Sequence, residues 1–439
     1  MKSERESSAL RDPAFAYHAA RPTGESELYC EAVPLESLAA RHGTPLYVYS
    51  TAMIRARALA FARAFQAVPH TLCYSVKANS TLGILRVLAD EGSGFDVVSG
   101  GELQRVLRVN RGAAKKVVFS GVGKTIAEME LALRTGILLF NIESASELNL
   151  LAATAARLKK RASVAIRVNP DVSAKTHPYI STGLHQHKFG VPIPEAQTLY
   201  AEAAKRPYLN VAGVSVHIGS QITDVGSFQD AIDRVGDFVR VLRKQGHDIR
   251  YIDAGGGLGI PYEGRQRNFE SQIVEYAHAV LSPLRSLKLH LLLEPGRAIV
   301  AQAGVLLTRV LYRKTNNRKR FLIVDAAMND LLRPSLYAAY HEIVPVSRHS
   351  STVNTVETES TDVVGPICET GDFFARGRNL PVVSEGDLLA ILDAGAYGSV
   401  LGSNYNSRGR SAEILVDGAK ARIIRRRESF LDQLRTEKL

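Results

Sequence analysis

The chain has 439 residues, 45% of them apolar and 23% charged. That length exceeds one ordinary hydrophobic core and points to two domains. The formal net charge of +11 is spread along the chain, its one dense run, Arg422 to Arg427, is broken by Ile423 and Ile424, and no aromatic RNA-binding signature accompanies it, so a nucleic-acid protein is excluded and attraction for small anions remains.

No apolar run reaches membrane-spanning length, and Cys30, Cys73 and Cys368 give neither a disulfide framework nor a metal-ligand spacing, which fits a reducing cytoplasm. Met1 to Arg11 is polar and lacks an apolar segment, so residues 1–20 read as a flexible tail and not as a secretory signal. Pro34 to His42 reads as a short helix stopped by Gly43, Pro45 to Ser50 as a strand, and Ala52 to Phe65 as a long helix capped by Ser50 or Thr51.

A regular alternation follows. Apolar, β-branched runs fall at 71–76, 95–98, 116–120, 137–142, 163–168, 211–218, 249–254 and 288–293, with Ala-, Leu- and Glu-rich helical stretches between them. Such a pattern predicts a parallel sheet covered on its outer face. Eight strands over about 240 residues match a (β/α)8 TIM-type barrel; an open doubly wound sheet is the alternative, but no switch point is visible. From Gly304 the helical period disappears, and short strands at 305–312, 320–325, 342–346, 362–365, 388–393, 413–417 and 421–425 predict a second, mostly-β domain, with Ser347 to Thr361 as a loop or irregular hairpin. The expected division is a barrel over 45–305 and a β domain built from 21–44 and 306–439.

Polar residues recur at the strand ends, where a barrel keeps its active site. Lys77 closes the run Thr71–Val76. Loss of solvation there favours the neutral amine and suits Schiff-base chemistry, although on this stretch alone a lysine that snorkels to water is the favoured reading. Asp96, Ser120, Asn141, Glu143, Arg167 and Asn169 end the next runs, and His217 ends the sixth as a core histidine or as a flat ring for stacking on a cofactor. The seventh run leads through Asp253 into Gly255, Gly256 and Gly257 without the GxGxxG spacing, which disfavours a dinucleotide site and favours a phosphate loop. Glu294 closes the eighth run before Pro295, Gly296 and Arg297; a salt bridge is its plain reading, and a carboxylate facing a ring nitrogen is the other. His185 and His187 have no clustered third ligand, so no metal site is expected. Gly121 to Thr125 is only half of a nucleotide-binding loop, because Val118 stands where the first glycine belongs. In the second domain Cys368 lies in a Gly/Pro/acid turn with Glu369 and Asp372, Tyr397 sits between Ala396 and Gly398, and Arg333 with Tyr337 suits the grip of a carboxylate.

Taken in order, Tyr74–Asn79, His177–Gly183, Lys188–Gly190, His217–Gln221, Gly255–Gly259, Glu294–Arg297, Arg333–His341, Cys368–Asp372 and Ala396–Gly398 resemble the fold-type III pyridoxal-phosphate-dependent decarboxylases. The likeness runs nearly the whole chain, from Pro34 to Gly418. It implies pyridoxal 5'-phosphate as cofactor and decarboxylation of meso-2,6-diaminopimelate to L-lysine and CO2, the last step of lysine biosynthesis by that route. Lys77 would hold the cofactor as a Schiff base, Glu294 would keep its pyridine nitrogen protonated, and His217 would stack on the ring. Ser220, Gly255, Gly256, Gly257, Gly296, Arg297 and Tyr397 would hold the phosphate end. Arg297, Arg333, Tyr337, Glu369 and Tyr397 would bind the substrate, and Cys368 would donate a proton. The resemblance further implies a homodimer in which Cys368 and Glu369 reach the partner's site. One departure is the absence of prolines in Ser407–Ser411, after Asn404-Tyr405-Asn406, which bears on loop stiffness. Related decarboxylases of ornithine, arginine or carboxynorspermidine, an amino-acid racemase, and a non-catalytic binding protein are the rival readings; the last needs loss of Lys77 or Cys368, and both are present.

Overall fold

Eight parallel strands close into a ring in the computed structural model, which describes residues 14–19, 26–172, 188–263, 269–348 and 357–438. They are β1 (His70–Ser75), β2 (Gly94–Val97), β3 (Val117–Phe119), β4 (Leu139–Ile142), β5 (Ala162–Asn169), β6 (Leu209–Val216), β7 (Tyr251–Asp253) and β8 (His290–Leu293). Each pairs with the next, and β8 pairs with β1, so the sheet has no free edge. Cys73, Val118, Leu139, Ala165, Ala212 and Leu292, one from each of six strands, pack into a fully buried core cluster. The predicted TIM-type barrel and its eight strands are therefore present.

The helices between strands form for readable reasons. Ile126–Thr135 starts at a capping box in which Thr125 and Glu128 exchange hydrogen bonds, and it stops at Gly136 with φ 68°, a left-handed conformation that glycine adopts without strain. Gly226–Lys244 buries Phe228, Ala231, Ile232, Val235, Phe238, Val239 and Leu242, the three-and-four spacing of one helical face, against the barrel wall.

The chain divides into two compact units, Arg55–Ile260 with Arg267–Ala298, and Met1–Ile54 with Pro261–Gln266 and Ile299–Leu439. In the second unit one sheet runs in the order Phe373–Pro381, Thr358–Val364, Lys319–Val324, Gly304–Asn316, Leu46–Ser50, Ala412–Asp417, Lys420–Arg425. Here the structure differs from the sequence reading. Leu46–Ser50, expected at the start of the barrel, is a buried strand between Gly304–Asn316 and Ala412–Asp417. A fully buried strand followed by a helix looks the same in sequence whichever sheet receives it. Phe15–Ala19, expected within a flexible tail, pairs with Ser26–Cys30. Phe373–Pro381 escaped notice because its arginines hide the apolar face of a strand whose solvent side is charged. The His177–Gly183 motif, with His185 and His187, lies outside the described residues. Among the described residues no helix is long and apolar enough to cross a membrane.

Candidate active site

Barrel closure turns polar strand ends into one network. β1 ends at Ser75, and Lys77 follows in a single tight turn, Val76–Ala78, pinned by Tyr74 Oη donating to Asn79 O at 3.0 Å. Lys77 Nζ is ion-paired with Asp96 Oδ2 of β2, the residue in register with Ser75. Asp96 is fully buried, whereas the Lys77 side chain keeps 31% of its surface open, so the amine is both anchored and reachable. The anchored ion pair thus weighs against simple snorkelling. Ser75 Oγ lies 2.9 Å from Asp96 Oδ2 and 2.8 Å from the Glu294 carbonyl, its one proton serving either. Gly296 tightens the same junction. A Cβ there would meet Ala78 Cβ at 2.8 Å, so glycine lets the end of β8 lie against the end of β1.

Glu294 continues the network across the barrel. Ser120 Oγ donates to Glu294 Oε1 at 3.2 Å and accepts from Asn141 Nδ2 at 3.0 Å. The second Asn141 proton goes to Asp253 Oδ2 at 2.5 Å, and Asp253 also receives Ser215 Oγ at 3.3 Å and the Gly255 N–H at 2.9 Å. Glu294 and Asp253 are themselves hydrogen-bonded, and burial together with the Asp253 and Asp96 charges pushes the Glu294 carboxyl well above the usual range. Asp253 is raised by burial too, but the bonds it receives from Glu294, Asn141 and Gly255 oppose that. The shared proton therefore rests on Glu294.

His217 follows β6, and its Nδ1 accepts the Gly256 N–H at 3.1 Å, which leaves the proton on Nε2. Burial and the Arg167 and Lys77 cations push its pKa well down, so the imidazole is neutral. Arg167 donates to the His217 carbonyl at 3.2 Å and to Glu143 Oε1 at 2.9 Å, an ion pair buried on both sides. The loops after β6 and β7 are locked together: Ile222 N–H donates to Gly257 O, and Gly259 N–H to Ile222 O, both at 2.9 Å. At Gly257, φ is 103° and a Cβ would meet Gly219 O at 2.4 Å, so no other residue fits without moving that lock. Arg297 Nη2 reaches Ser220 Oγ at 3.0 Å, placing a buried guanidinium beside the glycine loop.

The second unit holds the remaining predicted residues. Arg333 and Tyr337 stand one turn apart on Arg333–Tyr337. Arg333 Nη1 meets His341 Nε2 at 2.7 Å and its guanidinium lies 4.2 Å over the Tyr262 ring, while His341 Nδ1 donates to Leu392 O at 2.8 Å. A neutral histidine and an aromatic face thus hold the cation. Cys368 and Glu369 are exposed. Their turn is pinned by hydrogen bonds: buried Asp372 accepts Ile367 N–H and Met328 N–H, each at 2.7 Å, and Asn406 Oδ1 accepts the Cys368 N–H at 2.9 Å. Tyr397 is half-buried with φ 54°, a conformation costly for tyrosine and concentrated at functional sites.

Sequence reasoning placed Asp96, Ser120, Asn141 and Asp253 at strand ends without giving them work, and it missed Tyr262, His341 as partner of Arg333, and Glu102. Glu102 lies in the first turn of Gly100–Val109, where an acid ordinarily marks only the helix start. Burial raises its pKa to about 7, opposed by the Val98 N–H that its side chain accepts, with Asp96 raising it further and Lys77 lowering it. Glu102 is therefore uncharged below that pH and charged above it. In the pH profile of kcat/KM, we expect an ionisation near 7 that Glu102→Gln removes; a profile unchanged by that substitution would show that the acid is uncoupled from the site.

These residues suit an anionic aromatic cofactor. Among the described residues Asp96 Oδ1 and Asn141 Oδ1 are buried without a hydrogen-bond partner, which calls for a donor from outside the chain. An anchored amine, a protonated acid, a flat neutral ring and an arginine beside a glycine loop fit an aldehyde, a pyridine nitrogen, a ring face and a phosphate respectively.

Residues 51–301 match the family described as pyridoxal-dependent decarboxylase, pyridoxal binding domain. A diaminopimelate decarboxylase of Pseudomonas fluorescens is 51% identical over 94% of this chain and 97% of its own length. Among solved structures, the Helicobacter pylori diaminopimelate decarboxylase complexed with L-lysine is 43% identical, with a TM-score of 0.86 over 91% of this chain and 98% of that one. The M. jannaschii diaminopimelate decarboxylase in co-complex with L-lysine is 36% identical, with a TM-score of 0.90 over 98% and 99%.

Proposed function

The chain belongs to the diaminopimelate decarboxylases, within the pyridoxal-dependent decarboxylases, and from that premise we propose that it converts meso-2,6-diaminopimelate to L-lysine and CO2 with pyridoxal 5'-phosphate as cofactor. The observation that carries this reading is the pairing of an anchored, reachable Lys77 with a protonated, buried Glu294 at adjoining strand ends of one barrel.

When bound, the cofactor supplies an electron sink conjugated to the bond that loses CO2. The residues do the rest. Lys77 would hold the cofactor through its aldehyde, with Asp96 fixing where the amine stands. Glu294 would serve the pyridine nitrogen. His217, held in one tautomer by the Gly256 N–H, would offer its flat neutral ring to the cofactor. Ser220, the Gly255–Gly257 loop, Gly296, Arg297 and Tyr397 hold the phosphate by backbone donors, a hydroxyl and a guanidinium. Arg297, Arg333, Tyr337 and Tyr397 bind the substrate, with the distal carboxylate matched to guanidinium and phenol and its amine to Glu369. Cys368 would supply the proton that replaces CO2. Its exposure, with that of Glu369, supports a homodimer in which each turn serves the other copy's barrel. A reducing cytoplasm keeps such an exposed thiol reduced.

Charged groups at the far end of the substrate set specificity, because a wrong substrate leaves their partners unpaired. Release of CO2 measured across meso-diaminopimelate, ornithine, arginine, lysine and carboxynorspermidine is expected to favour the first by about 10⁴-fold or more in kcat/KM. Comparable turnover of ornithine would overturn the substrate assignment, and racemised amino acid without CO2 would overturn the reaction.

A further inference from the structure

The barrel has a second recess, at the strand ends opposite those that lead to Lys77 and Glu294. Pro69 precedes β1, Ile249 and Arg250 precede β7, and Leu289 precedes β8. With the C-terminal ends of helices Gly226–Lys244 and Phe269–Leu281 they border a cleft of about 690 Å³. Small-molecule sites run from about 300 to 1,000 Å³, so the space is of that size. All of these residues belong to the barrel unit. Leu292 joins the core cluster inside the barrel, so Leu291 beside it faces the opposite way, toward the cleft. Leu291, Ile249, Leu284 and Leu289, all buried, give the cleft an apolar wall.

The charges around it are one-sided. Arg243, Arg250, Arg285 and Lys288 line the cleft, and Asp248, the only carboxylate among the lining residues, is paired with Arg250 at 3.4 Å. Among the described residues Arg285 and Lys288 have no carboxylate partner, and both are exposed. Arg243 is held by carbonyls instead. Its Nε and Nη2 donate to Ile249 O at 3.2 and 2.6 Å, and its Nη1 donates to Leu287 O at 2.6 Å. Those bonds fix the guanidinium without neutralising it, and each Nη keeps a second N–H. A cation fixed in place with spare donors and no counter-ion is prepared for an anion.

We propose that this cleft binds a small organic anion: a carboxylate, sulfonate or phosphate carried on an apolar body. The body lies against Ile249, Leu284, Leu289 and Leu291, and Arg243, Arg285 and Lys288 meet the charge. The cations select the head and the buried wall selects the body. An inorganic anion would leave the wall bare, and a neutral hydrocarbon would leave the cations uncompensated. The inference is independent of the functional reading above, because the cleft shares no residue with the site at the other end of the strands.

The test uses the full chain saturated with pyridoxal 5'-phosphate and titrated with anilinonaphthalene sulfonate, whose fluorescence rises in apolar surroundings. Phenylnaphthylamine, which lacks only the sulfonate, is the uncharged comparison. The sulfonate should bind at one site per chain, more tightly than phenylnaphthylamine. Arg285→Glu with Lys288→Glu should weaken the sulfonate by about tenfold or more and leave phenylnaphthylamine unchanged. Both side chains are exposed, so the double variant should keep wild-type thermal stability and turnover. Arg285→Ala with Lys288→Ala, which removes the charges without reversing them, gives the same comparison if the reversal disturbs folding. No saturable binding of the sulfonate, a smaller loss in the folded double variant, or equal affinity for the two probes would each overturn the proposal and leave the functional reading intact.

Discussion

Lys77→Ala should abolish turnover, by about 10⁴-fold or more, as removal of a residue that bonds covalently during a reaction does elsewhere. Two consequences need separating. One is chemical: borohydride reduction should trap cofactor on the wild type and none on the variant. The other is structural. Asp96 is fully buried, and its cationic partner is lost. Removing one member of a buried pair costs about 3–5 kcal/mol, and the partial exposure of Lys77 puts this case at or below about 3. Adding Asp96→Asn removes the stranded charge. The double variant should recover most of the thermal stability and none of the turnover. A Lys77→Ala protein that still traps cofactor covalently would place the Schiff base on another lysine. A double variant no more stable than Lys77→Ala would mean that Asp96 is neutral or solvated once its partner has gone.

Cys368→Ala should slow turnover by about 10²–10⁴-fold, the usual scale for a lost general acid, with cofactor affinity within about twofold of wild type. Cys368 is exposed, and its turn is held by Asp372 and Asn406 through backbone N–H groups rather than through the thiol. Loss of the side chain should therefore leave the fold alone. The shared site proposed above has its own readout. Lys77→Ala and Cys368→Ala subunits, each inactive alone, are dissociated, mixed in equal amounts and reassociated. Half the dimers are then mixed, each with one site complete, so about a quarter of wild-type activity returns. If Lys77 and Cys368 served a site within one chain, mixing would restore nothing.

The barrel was legible because its signal is local. Each strand is a short β-branched run and each helix carries its own spacing, so eight repeats could be counted without knowing which strands face each other. The same logic made Lys77, Glu294 and the Gly255–Gly257 loop visible, because position at a strand end is itself local. What stayed hidden depends on closure. Ser120, Asn141, Asp253 and Glu294 lie on β3, β4, β7 and β8 or just past them, and only the closed ring lets Asn141 donate to both Ser120 and Asp253. No spacing in sequence encodes that meeting. Glu102 was overlooked for a related reason, since burial moves its titration and burial is a tertiary property. His341 and Tyr262 hold Arg333 from a distance in sequence of 8 residues in one case and further in the other.

The strand Leu46–Ser50 carries a consequence for how the protein is made. Its neighbours in the sheet come from beyond the barrel, and the Tyr49 hydroxyl donates to Glu413, 364 residues later. At ribosomal speeds of about 5–20 residues per second, that strand waits about 20–70 s for its last partner to emerge. During that interval a segment that the fold buries completely has at least one bare hydrogen-bonding edge, the condition that invites pairing between nascent chains. The barrel, by contrast, draws only on the stretch between its own first and last strands and is complete sooner. A growing polypeptide thus carries a finished cofactor-binding half and a waiting β half at once, and a message truncated before Ala412 would leave one edge of the strand bare permanently.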